Sequence, residues 1–550
     1  MSKLKNFFQN KRATLNANSQ ESSKNHLERD YKKYSRNLLA NWVGYGAGLI
    51  AMFFLSPFVV HRLGDTQYGL WSLLISLTGY MGLIELGTRG GLDRFINYHL
   101  GRDDTLSVNK IINTGLTFFT LSGLGLLIVA AAIAAAFHLL FQKIPHELLN
   151  VARLTVLLVA LNLWLSFLGT PFFQILTAFE RFDLVNAVNL VVLAVRTTLI
   201  VLVLLAGHGI VALALVQAIA TLLGNIAALL IAKKIFPDLR LSFALANRQQ
   251  FRQLFTFSLW TFIGNIAMQL LYWTDNIIIA TFLGPEMVTY FSIGSMLLIH
   301  ARNFTNQCSS IFNPQIIKTI ARKDWPNLHT LFLQASNLIM AVAILLLVGI
   351  SVFGHDFITL WMGPLYAQKS YNVLLILTIS QFPALAILLG SSVIMGLNKV
   401  RFSAMISFSQ ALVNLGLSIL FVKYFAMGID GVAWGTFYPR ILFTLFIHYA
   451  ILRWIGLPVW QFLKNEGFKW LASILAFTAI SILVNKYNCE LSWISLTAKI
   501  GLTGLLYIPL AWFGLFSKSE RNIILNFLKK KSVPINTNLK IADSFSQTID

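Results

Sequence analysis

From residue 38 to residue 516 the chain alternates long apolar runs with short polar breaks. The runs are too long for strands, and at about 20 residues each they can cross a hydrocarbon core of about 30 Å as helices. They predict six spans at 38–60, 68–99, 111–141, 148–176, 184–205 and 209–235. A polar stretch with Lys233, Lys234, Arg240, Arg248 and Arg252 follows. Eight more spans are predicted at 255–283, 286–311, 331–353, 370–395, 402–425, 431–452, 468–484 and 493–516. The expected fold class is thus all-α and polytopic, with about 14 transmembrane helices.

Composition agrees with this pattern. Hydrophobic residues make up 56% of the chain and charged residues 12%, whereas soluble domains carry about a quarter charged residues. The net charge of +21 would suggest nucleic acid in a soluble protein, but here its position is what matters. The basic residues gather in the tail 1–37, in the breaks with Arg102, Lys110, Arg181, Lys318, Arg322, Lys323, Lys399, Arg401, Arg453, Lys464 and Lys469, in the 233–252 stretch, and in the tail 518–550. The opposite side holds a scatter: Arg62, Lys143, Lys369, Lys423 and Lys486. The positive-inside bias therefore predicts a multi-pass membrane protein with two cytoplasmic termini, and no nucleic-acid partner. No removable signal peptide is expected, because the first 37 residues lack an apolar core. Cys308 and Cys489 form neither a ligand cluster nor a disulfide framework.

Four short matches recur in order at an offset of about 220 residues. Leu63-Gly64 pairs with Leu283-Gly284, and Arg102-Asp103-Asp104 with Arg322-Lys323-Asp324. Ala178-Phe179-Glu180-Arg181 pairs with Gly396-Leu397-Asn398-Lys399, and the stretch from Gly209 with the one from Gly428. They predict a duplication with parallel copies, since each copy enters from the same side. The expected organisation is a cytoplasmic tail 1–37, an N-lobe 38–236, a cytoplasmic linker 237–252, a C-lobe 253–455, two extra helices in 456–517, peripheral to the rest, and a tail 518–550.

Within 62–104 a tight loop at Leu63-Gly64-Asp65 leads into Tyr68-Gly69-Leu70-Trp71, and then into a glycine-broken segment with Glu85, Arg89, Asp93 and Arg94. The i, i+4, i+8 spacing of Glu85, Arg89 and Asp93 would stack alternating charges on one helix face. This stretch resembles the signature region of the polysaccharide transporter family, the Wzx-like flippases of lipid-linked oligosaccharides. That family shares a superfamily with the multidrug (MATE) exporters and the lipid II flippases, and the resemblance runs over about residues 38–452. It implies two parallel six-helix lobes, MATE-like, in a V that rocks about a central cavity, with two extra C-terminal helices.

A charge inside a span costs about 2.5–3.5 kcal/mol on insertion scales, so it usually faces a cavity or a partner. Arg196, Arg440 and Arg302 are candidates to grip an anionic pyrophosphate head group, with structural pairing or snorkelling as the alternative. Arg89 and Arg94, with Glu85, form either an ion-pair ladder or a head-group entry site. Asp275 is the candidate cation-coupling acid, with a structural salt bridge equally open, and Glu85 is next in line. Asn162, Asn265, Gln269 and Asn414 are expected to bond between helices, and His61, His208 and His448 to pack at interfaces. Gly90-Gly91 is expected as a close-packing or hinge position.

The resemblance and the basic balance favour a flippase that moves a polyprenyl-pyrophosphate-linked oligosaccharide outward for O-antigen, capsule or exopolysaccharide, by alternating access. A MATE-type multidrug/cation antiporter and a lipid II flippase are the alternatives. An enzyme is disfavoured, because no break is long enough for a catalytic domain. No metal or organic cofactor is expected, with coupling to H+ or Na+ as an option. The expected partners are the lipid-linked oligosaccharide and membrane lipids, with a polysaccharide polymerase and a chain-length protein as further candidates.

Overall fold

The computed structural model describes residues 43–525, apart from 86, 387, 488–489, 519 and 523–524, and without the side chains of 256–261, 263–265 and 267–268. The basic tail 1–37, most of the tail 518–550, Cys489 and the side chain of Asn265 lie outside these residues. Among the described residues there is no strand.

The first helix, α1 (Val43–Glu85), is 43 residues long. At 1.5 Å per residue this is roughly 65 Å, twice the thickness of a hydrocarbon core. It is divided at Gly64, where φ is 75°. A left-handed residue cannot continue a right-handed helix, and glycine adopts that conformation without a Cβ clash. The Leu63-Gly64-Asp65 turn expected from the sequence therefore exists as a break in direction within an otherwise continuous helical run.

The helix expected over 68–99 does not run straight through. It tightens into a 3-10 turn at Gly82–Glu85 and restarts as α2 (Thr88–Leu100) beyond Gly87, where φ is 71°. The break lies at Gly87, and Gly90 and Gly91, the expected close-packing or hinge positions, are inside α2, with Gly91 buried. The expected charge ladder forms only in part. Arg89 pairs with Glu85 at 3.2 Å, but Asp93 accepts from the Asn97 amide at 3.2 Å instead.

The helices that follow are α3 (Thr105–Leu140), α4 (Leu149–Ala178), α5 (Phe182–Leu205), α6 (Ile210–Ile235), α7 (Arg248–Phe282), α8 (Pro285–Ser310) and α9 (Asn313–Ala321). Then come α10 (Trp325–Trp361), α11 (Pro364–Ala386), α12 (Gly390–Gly396), α13 (Val400–Lys423) and α14 (Gly428–Trp454). The last three are α15 (Val459–Phe462), α16 (Phe468–Asn485) and α17 (Trp493–Gly514). Among the described residues, nine helices are long and apolar enough to cross a membrane, or ten if α11 and α12 form one span. Side chains such as Ile494, Leu505 and Phe513 are 84%, 67% and 69% exposed, a surface that suits lipid rather than water.

The duplication is visible in the backbone. Outside glycine, φ is positive at Asp103 and Lys323 (54° and 56°), and at Glu180 and Asn398 (54° and 55°). Gly64 and Gly284 repeat the pattern at 75° and 101°, as do Gly207 and Ala426 at 82° and 51°. Each pair is separated by 218 to 220 residues in the numbering, and all of these residues but Gly64 follow the end of a helix, the place where a left-handed residue closes the last turn.

Packing groups the helices into two compact units, Met1–Ser292 and Ile293–Asp550. In the first unit α4 packs between α3 and α6, α5 lies on α6, and α2 touches α3, α4 and α7. Here α7 is joined to α1 by a hydrogen bond from the Asn276 amide to Ser76 Oγ at 2.9 Å. The polar stretch after α6 is held against α3 by two asparagines one helical turn apart. Asn109 donates to Asp238 O at 2.9 Å and accepts from Arg240 N at 2.7 Å. Asn113 donates to Arg240 O at 2.6 Å and accepts from Ser242 N at 2.8 Å.

In the second unit α10 packs on α11, α16 and α17, and α14 packs on α11 and α13. The final helices, α16 and α17, pack on α10 and on each other. The Trp470 indole donates to Asn337 Oδ1 at 2.9 Å, and the Asn337 amide donates to Glu520 Oε1 at 3.1 Å. The Tyr507 hydroxyl donates to Ala341 O at 2.7 Å. All these side chains are buried, so breaking any of the bonds would strand a polar group away from water.

Candidate functional site

Three helices of the first unit each carry one polar face in an apolar span. On α4, Asn162, Ser166, Thr170 and Gln174 recur every four residues. On α6, Gln217, Thr221 and Asn225 do the same. On α5, Asn189, Leu193, Arg196 and Ile200 share a face through i+4 and i+7 spacing. Lipid would leave such groups unsatisfied, so these faces turn toward one another.

The α4–α6 pair is close because of one glycine. A Cβ on Gly169 would lie 1.9 Å from Asn225 Oδ1, so only glycine lets the Asn225 amide enter at this height. That amide donates to Leu165 O at 2.7 Å, and Thr221 Oγ1 donates to Asn162 Oδ1 at 2.7 Å. Asn162 thus bonds between helices as expected from the sequence. Asn414, in the second unit, does likewise with Thr436 at 3.0 Å.

Two cavities open along the shared faces of α5 and α6. One, of about 300 Å³, is lined by Ser166, Thr170, Gln174, Asn189, Thr221 and Asn225, with Phe173 as an apolar wall and Arg89 contributed by α2. The other, of about 310 Å³, is lined by Arg196, Thr197 and Gln217 together with Tyr68, Trp71 and aliphatic side chains from α1. Asn189 and Arg196 are seven residues apart on one helix, roughly 10 Å along its axis. The cavities therefore lie end to end, one walled by amides and hydroxyls, the other mostly apolar around a guanidinium.

The arginines differ in their surroundings. Arg89 is half exposed and paired with Glu85, whose side chain is 15% exposed. Arg196 is half-buried, roughly 13 Å from the C-terminal end of α5. Among the described residues no carboxylate pairs with it. Arg94 is exposed on α2, beside Phe95, and lines neither cavity. Arg302 is half-buried on α8, and Arg440 on α14 lies 3.4 Å from Ser380 Oγ. The structure thus brings Arg89, Glu85 and Arg196 to one pair of neighbouring cavities, while Arg302 and Arg440 belong to the second unit.

Asp275 is 8% exposed on α7. It is flanked by Thr274, which is hydrogen-bonded to the Tyr80 hydroxyl, and by Asn276, bonded to Ser76. It lines neither cavity. A cavity of the second unit, about 720 Å³ between α10, α11, α14 and α16, is mostly apolar, with Ser351, Tyr371, Thr478, Asn485 and Lys486 as its polar members.

Ser166, Thr170, Gln174, Asn189, Thr221 and Asn225 did not stand out in the sequence as site residues. Their signal was the four-residue recurrence of small polar groups in α4 and α6.

A bundle of long apolar helices with polar and cationic cavities inside one unit is the fold of a polytopic membrane protein. Residues 32–311 match the family described as polysaccharide biosynthesis protein, and the chain belongs to that family. A Shigella flexneri protein provisionally named an O-antigen transporter is 21% identical over 412 residues, 73% of this chain and 94% of that protein. Among solved structures, the lipid II flippase MurJ in an inward closed conformation has a TM-score of 0.70 at 15% identity, covering 88% of this chain and 99% of MurJ. An inward-facing MATE multidrug transporter of the MOP superfamily has a TM-score of 0.63 at 14% identity, covering 74% of this chain and 94% of that transporter. The fold expected from the sequence, all-α and MATE-like, is therefore the fold found.

Proposed function

We propose that the chain is a flippase that carries a polyprenyl-pyrophosphate-linked oligosaccharide across the cytoplasmic membrane for surface polysaccharide, by alternating access. Arg196 is the observation that carries this reading. A guanidinium near mid-span, on a cavity wall and with no carboxylate pairing with it among the described residues, costs the fold energy. A bound phosphate offsets that cost and can accept two parallel hydrogen bonds from it. Arg89 supplies a second cation to the neighbouring cavity. Arg302 and Arg440 are assigned the same anion-holding role in the second unit, and Arg94 a role in capture near the start of α2.

Membership of a polysaccharide biosynthesis family and the name of the Shigella flexneri relative support the sugar-linked cargo. A cationic drug, the cargo of the MATE alternative, would be repelled by Arg196. Fourteen spans, cytoplasmic termini, coupling to H+ or Na+ through Asp275 or Glu85, and association with a polymerase and a chain-length protein complete the proposal.

The test is reconstitution of the purified chain in proteoliposomes with lipid-linked oligosaccharide, following its appearance in the opposite leaflet. Wild type is expected to accelerate the movement, and Arg196→Ala to abolish it at unchanged abundance, with Arg196→Lys recovering part. Movement by Arg196→Ala at the wild-type rate would overturn the assignment of Arg196, and no movement by wild type would overturn the flippase reading.

A further inference from the structure

We propose that the cavity of about 300 Å³ between α4, α5 and α6 is a subsite for a neutral, hydroxyl-bearing glycosyl group, the first sugar attached to the pyrophosphate; this deepens the flippase reading and rests on it.

The argument starts from the chemistry of the wall. Its uncharged polar members are three hydroxyls, Ser166, Thr170 and Thr221, and three amides, Gln174, Asn189 and Asn225, and among the described residues no carboxylate lines it. Every one of these groups can both donate and accept. A sugar hydroxyl also does both, whereas a cation or an anion needs one sign of partner throughout. Such a wall fits a neutral polyol.

Internal bonds use only part of this capacity. Thr170 Oγ1 donates to Ser166 O, Thr221 to Asn162, and one Asn225 N–H to Leu165 O. That leaves the hydroxyl lone pairs and the second Asn225 N–H. The whole Asn189 amide also remains, since it makes no hydrogen bond among the described residues. If these groups served only to join helices, they would be satisfied against one another. Instead they line open space.

Size and position narrow the ligand. A volume of about 300 Å³ is at the small end of ligand sites, so it suits one sugar unit rather than a whole oligosaccharide. Phe173 gives the ring an apolar face to lie against. Arg89 is the single charge in the lining, and it sets a phosphate next to that sugar. The group read here is thus the one nearest the lipid. A hydroxyl-bearing phospholipid such as phosphatidylglycerol combines a phosphate with hydroxyls in the same way, so the experiment must separate the two.

The full-length protein in detergent would be titrated with three probes: undecaprenyl pyrophosphate, the lipid-linked oligosaccharide extracted from the cells that encode this protein, and phosphatidylglycerol. The glycosylated probe is expected to bind about tenfold tighter than the bare pyrophosphate, the worth of one or two hydrogen bonds. Asn189→Leu and the double variant Asn189→Leu/Ser166→Val should erase that difference and leave the bare pyrophosphate affinity unchanged. Asn189→Gln should restore part of it, which a merely structural role for Asn189 would not require. Equal binding of the two pyrophosphate probes by wild type overturns the subsite while sparing the flippase reading. Displacement of the glycosylated probe by phosphatidylglycerol reassigns the cavity to a lipid head group. If neither pyrophosphate probe binds, both the subsite and the flippase reading fall.

Discussion

Glu85 and Arg89 face each other across the break between α1 and α2, carboxylate to guanidinium at 3.2 Å, with Gly87 at φ 71° between them. The pair holds Arg89 at the edge of the polar cavity while neutralising it when no cargo is present. A phosphate that binds Arg89 must compete with Glu85. Arg89→Ala is therefore expected to weaken binding of undecaprenyl pyrophosphate by about tenfold, the low end for a charge-assisted bond because Arg89 is half exposed. Glu85→Gln should strengthen it several-fold by removing a repelling charge. Isothermal titration of both variants decides the matter, and a Glu85→Gln protein as weak as Arg89→Ala would mean that the carboxylate positions the arginine rather than competes for it.

Asp104 and Asp324 cap α3 and α10 with nearly identical backbones, φ and ψ of −89° and 76° against −88° and 77°, each side chain accepting from the backbone N–H three residues on. The Ser107 hydroxyl, and then its backbone N–H, hold the Asp104 carboxyl below the usual carboxylate range. A depressed folded-state value means that the cap contributes stability above the unfolded-state value of about 3.9, and that this contribution is lost as pH falls through the lower folded-state value. Asp104→Asn, which keeps an acceptor without the charge, should unfold at a temperature that depends less on pH across that acidic window than wild type. Identical pH profiles for the two proteins in a thermal melt would show the charge to be irrelevant to the cap.

Gly169 tests the geometry of the polar cavity without removing any of its polar groups. A methyl there must displace the Asn225 amide, whose Oδ1 would lie 1.9 Å away, and so break its bond to Leu165 O. Gly169→Ala is expected to cost about 1–3 kcal/mol of stability, the penalty for an unsatisfied buried carbonyl, and to abolish transport. A variant that melts and transports like wild type would show that α4 and α6 separate easily here and that the close approach is not required.

Much of the fold was legible because its signals are local. Apolar run length predicted the helices, and the Gly64 and Gly284 turns and the basic-acidic turns at Asp103 and Lys323 announced the duplication, all of them left-handed in the structure. The break at Gly87 was hidden, since nothing in the sequence distinguishes the glycine that ends one helix from Gly90 and Gly91, which are absorbed into the next. The candidate site was legible only in part. Arg196 and Arg89 were marked by the cost of charge in a span. Ser166, Thr170 and Asn225 were not, because a single polar residue in a membrane helix usually serves its neighbours, and only their convergence from α4 and α6 reveals open space between them. The buried chain from Glu520 through Asn337 to Trp470 was equally invisible, since it joins residues 183 and 133 positions apart.

Asp275 lies inside α7 at 8% exposure, next to Thr274, which is bound to the Tyr80 hydroxyl, and Asn276, which donates to Ser76. Both neighbours reach α1, so a change of charge at Asp275 is felt at the contact between these two helices. An empty, positively lined cavity returns inward along an inside-negative potential, and a cation taken up at a buried acid would add to that inward drive, the role proposed for Asp275. Asp275→Asn keeps the shape and removes the titration. It is expected to bind undecaprenyl pyrophosphate like wild type, but to lose most of the acceleration that an imposed proton or sodium gradient gives to transport in proteoliposomes. If the variant answers the gradient in full, Asp275 joins α7 to α1 and nothing more, and Glu85 becomes the acid to replace next.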